Sequence, residues 1–266
     1  MTRLAEVPLL PLDPARPFAL LADLHANLEA LEEVAAWLRS HRIDQVLVLG
    51  DLVGYGASPA EVIAVVRERG FVALRGNHEE MLLGLAPDTI YAKERARRAI
   101  AWTAARLGPS ERGFLASLPT IGRIGDLALA VHGSPADPRH CYAYVYDLSL
   151  PINAACLERD SCPPGTLVLC GHTHRPAWFA MDAALTEQAV ALAEEQVLDG
   201  EHWHFVNPGS VGYPRDGDSR ASFMLFSPGQ RRLRWVRLPY DLARAAARIR
   251  AAGYDDTMAE RLLAAR

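Results

Sequence analysis

Seven side chains that can bind metal ions are strung along this 266-residue chain: Asp23, His25, Asp51, Asn77, His132, His172 and His174. Together they offer two carboxylates, one amide oxygen and four imidazoles, with no thiolate. Mixed oxygen and nitrogen donors suit manganese, iron or zinc, and not copper(I) or an iron–sulfur cluster. Seven donors exceed what one tetrahedral zinc uses. Two divalent ions sharing a carboxylate account for them all, and Asp51 is the expected bridge. Asp23-x-His25 and His172-x-His174 each place two donors in one loop, where a turning backbone can aim residues i and i+2 at one centre.

The elements that must position these donors are legible from hydrophobic patterning. Asp23, Asp51, Asn77, His132 and His172 each follow a short apolar run: Phe18–Ala22, Val46–Leu49, Phe71–Leu74, Leu127–Val131 and Leu167–Cys170. Runs of this length and character read as strands buried on both faces. Ligands gather beyond the carboxyl ends of such strands. Leu28, Leu31, Val34, Ala35 and Leu38 recur at helical spacing after Asn27, which suits an N-cap. A second helix is expected over residues 59–69, opened by Pro59 and closed by Gly70. This βαβαβ order predicts parallel strands with right-handed crossovers.

Further helices are expected over Tyr91–Leu107, Ser110–Leu118, near Leu150–Leu157, from Asp241 to Ala252 and over Thr257–Ala265. A hairpin is expected across Gly125-Asp126, strands at Ala177–Met181 and His204–Val206, and an antiparallel pair at Ser222–Phe226 and Leu233–Leu238. Residues 182–201 are open between helix, favoured by Ala and Glu content, and hairpin, favoured by flanking strands. Residues 1–17 read as a loose leader with at most a short edge strand. No repeat or low-complexity linker interrupts the chain, so one domain over 1–266 is expected, with residues 241–266 packed on it as helices.

Composition narrows the function classes. Half the residues are hydrophobic, enough for a sizeable core. A net charge of −4 disfavours nucleic acid and anionic membrane as partners. No apolar run approaches the roughly 20 residues of a membrane span, and the N-terminus lacks a signal-peptide core. A cytoplasmic protein is expected. Its four cysteines, Cys141, Cys156, Cys162 and Cys170, form no CxxC pair, which argues against a thiolate zinc site.

Asp23-x-His25, Gly50-Asp51, Gly76-Asn77-His78-Glu79, His132 and Gly171-His172-x-His174, in this order, resemble the calcineurin-like metallophosphoesterase superfamily. The resemblance covers about residues 18–240 and extends to Asn207-Pro208-Gly209-Ser210-Val211-Gly212, which is similar to a bacterial branch of small phosphodiesterases and diadenosine tetraphosphatase-like enzymes. It implies an α/β fold, an αββα four-layer sandwich of two mixed sheets. By position, Asp23, His25 and His174 would hold one ion, Asn77, His132 and His172 the other, and Asp51 both. Manganese is the favoured metal. His78 would face the substrate as general acid. Ala26 stands where a glycine is common, which removes no ligand. Gly54-Tyr55 stands where protein serine/threonine phosphatases carry Asp-Arg, which argues against a phosphoprotein substrate.

The activity so implied is dinuclear hydrolysis of a small, nucleotide-like phosphodiester or phosphoanhydride. Phosphomonoesterase activity is the nearest alternative, and a metal-stabilised interaction scaffold is the alternative from another class. Arg215 and Arg139 could clamp phosphate through their guanidinium forks, and Asn207 could contact it from its glycine-rich turn. His140 lies near Arg139 in the expected pocket wall of residues 135–165. Tyr142, Tyr144 and Tyr146 have the i, i+2 spacing of a half-buried edge strand. His41, His202 and His204 match no motif and read as surface or satisfied histidines. Substrate identity and oligomeric state are not encoded in any motif.

Overall fold

The computed structural model describes residues 6–85, 94–136, 153, 157, 162–182, 187–189, 194–253 and 256–266. In chain order the elements are β1 (Phe18–Leu21), α1 (Leu28–Ser40), β2 (Val46–Val48), α2 (Pro59–Glu68), β3 (Val72–Ala73), α3 (Asn77–Leu83), α4 (Glu94–Ala104), α5 (Pro109–Ser117), β4 (Ile121–Ile124), β5 (Ala128–Val131), β6 (Leu167–Leu169), β7 (Pro176–Met181), β8 (Glu187–Ala189), β9 (Glu195–Val197), β10 (Trp203–Pro208), β11 (Ala221–Ser227), β12 (Arg232–Leu238), α6 (Leu242–Ala251) and α7 (Asp256–Ala264). They build two mixed six-stranded sheets, ordered β3-β2-β1-β11-β12-β9 and β4-β5-β6-β10-β7-β8.

Burial explains why the strands read as unbroken apolar runs. Phe18, Leu20, Leu47 and Leu49 point between the sheets and meet Ala128, Ala130, Leu167, Leu169 and Val206 of the second sheet. The alternate residues Ala19, Leu21, Val46 and Val48 face the other way, against Leu31, Val34 and Leu38 of α1 and Val62 and Val66 of α2. A strand with both faces covered has no polar position until it ends. The outer face of the second sheet carries Val131, Val168, Cys170 and Phe205, packed with Val7, Leu157 and Cys162. The two face-to-face sheets with helices outside agree with the expected α/β sandwich. Local signals hold too: the Asn27 side chain accepts the Ala30 N–H, and the Asp241 side chain accepts the Arg244 N–H.

One expectation changes, and one alternative left open is decided. The leader is not loose from Glu6 onward: Val7, Leu10 and Leu12 are buried. The Leu10 N–H donates to Arg123 O and the Arg123 N–H to Pro8 O, both at 2.9 Å, so the segment runs along the open edge of β4. Residues 182–201 hold no helix among the described residues. β8 pairs back onto β7, and β9 crosses to the other sheet and pairs with β12. Unpaired strand edges on both sheets offered backbone partners that outweighed the helix preference of Ala and Glu. Most of the expected pocket wall lies outside the described residues, and with it Arg139, His140, Tyr142, Tyr144, Tyr146, Cys141 and Cys156. Among the described residues no helix is long and apolar enough to cross a membrane.

Candidate metal centre

Three of the five strand-end loops turn sharply where the donors lie. Ten described non-glycine residues have positive φ, and Asp23, His25, Asp51, His172 and His174 are five of them, with Ala26 and Tyr55 beside them. Left-handed backbone costs an L-residue about 1–2 kcal/mol, and such strain concentrates where function requires a particular aim. It folds successive donors back over the strand ends, so that side chains far apart in sequence meet.

They meet in two groups that share one member. Asp23, His25, Asp51 and His174 bring one donor atom each within 4.8 Å of the others, and so do Asp51, His132 and His172. In the first group His25 Nε2 lies 3.0 Å from His174 Nε2 and 3.6 Å from Asp51 Oδ2, and His174 Nε2 lies 3.4 Å from Asp23 Oδ1. In the second, His132 Nε2 lies 3.2 Å from His172 Nδ1, 3.1 Å from Asn77 Oδ1 and 3.3 Å from Asp51 Oδ2. All seven side chains are buried. Asp51 therefore faces both groups, and the amide oxygen of Asn77 completes the second.

Backbone carbonyls fix which imidazole nitrogen faces inward. His25 Nδ1 lies 3.1 Å from Val53 O, His132 Nδ1 2.7 Å from Leu49 O and His174 Nδ1 2.5 Å from Tyr213 O. A carbonyl only accepts, so each Nδ1 carries a hydrogen and each Nε2 is the nitrogen turned to the centre. Donor atoms of two imidazoles and two carboxylates within 4.8 Å of one another repel unless cations lie between them. Asp23 Oδ1, buried and without a hydrogen-bond partner among the described residues, is one such unanswered acceptor. The donor chemistry fits divalent ions.

On the protein's own charges the centre is already polarised. Burial pushes His25, His172 and His174 well below their usual range, keeping them in the neutral form that ligation needs. Burial raises Asp23 to about 7 against the opposing charge of His132. Asp51 resists its own burial and stays well below the usual carboxylate range because His132, His78 and His25 surround it. Burial also works against a charged His132, yet Asp51 lifts it to about 9.

His78 stands beside the cage. Its backbone N–H donates to Asp51 Oδ1 at 2.9 Å, and its ring packs 4.6 Å from both His25 and Tyr55. Burial lowers its pKa to about 4, with Asp51 opposing. A Cβ at Gly54 would stand 2.1 Å from His78 Nδ1, so only glycine lets this ring seat there.

One residue that sequence reasoning passed over holds the cage together. The fully buried Glu79 carboxylate accepts the N–H groups of Gly76 at 2.8 Å, Asp51 at 2.9 Å and Val53 at 3.1 Å. The signal was available: glutamate at the third position of a helix reaches back to its N-cap. Here the same carboxylate also straps the Asp51 loop to α3. Glu79→Gln puts an amide N–H2 against backbone donors. We expect metal affinity, read by chelator competition, to fall roughly 10- to 100-fold as for other supports of metal ligands. Unchanged affinity would show that the loop holds itself.

Asn207 does not project toward open space. Its Nδ2 donates to Gly171 O at 2.7 Å and Thr173 Oγ1 at 3.0 Å, and its Oδ1 accepts the Gly209 N–H. It orients the His172–His174 loop. Ser210 Oγ donates to Asp23 O at 2.8 Å, tying the same turn to the first donor loop. Arg215 lies beside the centre: its backbone N–H donates to His174 O at 3.2 Å and its guanidinium lies over the Tyr55 ring. His202 and His204 pair with Asp199, and His41 stacks on Trp37, so these three are satisfied elsewhere.

Comparison with known proteins gives the same answer. Residues 17–230 match the family model of the calcineurin-like phosphoesterase superfamily domain. An uncharacterised protein of Methanocaldococcus jannaschii is 31% identical over 249 residues, covering 93% of this chain and 98% of its own. The crystal structure of a metallophosphoesterase from Sphaerobacter thermophilus superposes with a TM-score of 0.79 at 33% identity, over 95% of this chain and 100% of that one. A hypothetical protein from Pyrococcus horikoshii shares the fold, with a TM-score of 0.74 at 20% identity over 92% of this chain and 97% of that one. The chain belongs to the calcineurin-like phosphoesterase superfamily and is a phosphoester hydrolase that works with divalent metal ions.

Proposed function

We propose that the protein hydrolyses a small, nucleotide-like phosphodiester or phosphoanhydride at a dinuclear centre. Asp23, His25 and His174 would hold one ion, Asn77, His132 and His172 the other, and Asp51 would serve both. The observation that carries this reading is the single Asp51 carboxylate common to two buried donor groups. When bound, two such ions lower the pKa of water and neutralise charge on phosphoryl oxygens. Manganese, iron and zinc all suit this mixed set of oxygen and imidazole donors, and manganese is the ion we favour.

The chain's own residues do the rest. The carbonyls of Val53, Leu49 and Tyr213 hold three imidazoles in the ligating tautomer. Arg215 faces the phosphoryl oxygens. His78 gives a proton to the departing oxygen as water adds to phosphorus and the P–O bond to the leaving group breaks. Burial alone disfavours a protonated His78, and the anionic phosphoryl group offsets this by favouring the charged imidazole. Two metal ions per chain by elemental analysis, with manganese-dependent turnover of bis-p-nitrophenyl phosphate, is the expected result. One ion per chain, or turnover that survives complete metal removal, would refute it.

A further inference from the structure

None of the seven donors lies on the C-terminal helices α6 and α7, yet both helices reach the loops of one donor group. Those loops are first laced to one another. The His25 N–H donates to Asp51 O at 2.9 Å, the Ala26 N–H to Leu52 O at 2.8 Å and the Gly56 N–H back to His25 O at 2.9 Å. The turn that carries Tyr213 joins them, because the Gly212 N–H donates to Asp23 O at 3.0 Å. A Cβ at Gly56 would run into His25 O and Ala26 O, and one at Gly212 into Leu24 O. Backbones packed this closely transmit a shift in one loop to the others.

Helices α6 and α7 hold this body from outside. Tyr213 is buried, and its hydroxyl donates at 2.9 Å to Met258 O in the first turn of α7. The carbonyl of the same residue is the one that meets His174 Nδ1. Arg248 of α6 donates to Ser58 Oγ at 3.1 Å, and its Nε lies 2.7 Å from Glu29 Oε1 in the first turn of α1. The Ser58 N–H in turn donates to Ala26 O at 3.0 Å. Asn27 Nδ2 donates to Gly212 O at 2.9 Å and to the Tyr240 hydroxyl, just ahead of α6, at 3.2 Å. Each tether ends on or beside a loop that carries Asp23 and His25 or that holds His174. Donors of the other ion have supports elsewhere. His132 meets Leu49 O, and Asn77 opens the helix whose Glu79 straps the Asp51 loop.

We propose that Tyr213 and Arg248 are positioning residues. Through them the C-terminal helices set the aim of His25 and His174, and so the affinity of the Asp23–His25–His174 ion and not of its neighbour. Tyr213 is the more direct link, because one residue carries both ends of it, the hydroxyl to α7 and the carbonyl to His174. The inference rests on the dinuclear reading above.

The test is a calorimetric manganese titration of the full chain, with electron paramagnetic resonance spectra recorded alongside. Tyr213→Phe keeps the ring and the backbone carbonyl and removes only the hydroxyl. Arg248→Gln leaves Arg244, 3.3 Å from Glu29 Oε1, to answer that carboxylate. Each variant should weaken one ion roughly 10-fold, as expected for a support of metal ligands, and leave the other within about threefold. At manganese concentrations that just fill wild type, the spectrum of an isolated ion should replace that of a coupled pair. In an Asp23→Asn background, where the same ion is already weakened, Tyr213→Phe should change the affinity of the remaining ion by less than about threefold. A merely structural role would instead lower the melting temperature of the metal-free protein and weaken both ions alike. That result, or wild-type affinity for both ions in both variants, overturns the positioning role and leaves the hydrolase reading standing. Fewer than two ions bound by wild type overturns both.

Discussion

Asp51→Asn should remove both metal ions and hydrolysis together. The substitution is unusually clean. Asparagine tolerates the positive φ of 54° at this position. Its Oδ1 can still accept the His78 backbone N–H, which the aspartate does at 2.9 Å. What changes is Oδ2, the atom 3.6 Å from His25 Nε2 and 3.3 Å from His132 Nε2. An amide nitrogen there carries hydrogens toward both ions and no negative charge. The loss of several kcal/mol of electrostatic stabilisation corresponds to a fall in kcat/KM of roughly 10³-fold or more. The thermal shift on adding metal reads the same event without any turnover. A ligand present at a hundred times its Kd adds about 2.7 kcal/mol to stability per site, and the variant should show little of it. Asp23→Asn is the control, since Asp23 belongs to one donor group only. It should weaken one ion and spare the other. Two ions retained by Asp51→Asn at wild-type affinity would remove the basis for a shared bridge.

His78→Ala should separate chemistry from metal binding. The ring lies beside the cage but is in neither donor group, and alanine keeps the backbone N–H that supports Asp51. Metal content should therefore remain at two ions per chain while turnover of an ester with a poor leaving group falls roughly 10²–10⁴-fold, the usual worth of a general acid. With p-nitrophenolate as leaving group, which needs little protonation, the loss should shrink. That dependence on leaving group is the readout a purely structural role would not produce. An equal loss on good and poor leaving groups would assign His78 to positioning of His25 and Tyr55, its ring neighbours at 4.6 Å.

The match between sequence and fold differs from element to element for physical reasons. β1 and β2 were legible because both their faces are covered, which forces apolar residues at every position from Phe18 to Leu21 and Val46 to Val48. β8 and β9 were not, because their pairing depends on edges left open by β7 and β12 and not on their own residues. The short edge strand allowed for in the leader could not be placed for the same reason: the edge of β4, which holds Leu10, is more than a hundred residues away.

The donor set, its oxygen and nitrogen character and its place after five apolar runs were determined by the sequence alone. β1 and β2, covered on both faces, are apolar throughout, so the first polar side chains stand out just past their ends. Tertiary structure decided what the sequence could not express. The left-handed turns that aim five of the donors, the carbonyls that orient three of the four imidazoles, the Glu79 strap and the inward use of Asn207 all depend on where backbone N–H and C=O groups point. Backbone direction leaves no signature in residue type except at a few glycines, and contacts such as His25 with His174 join positions 149 residues apart. They exist only once the two sheets have closed on each other.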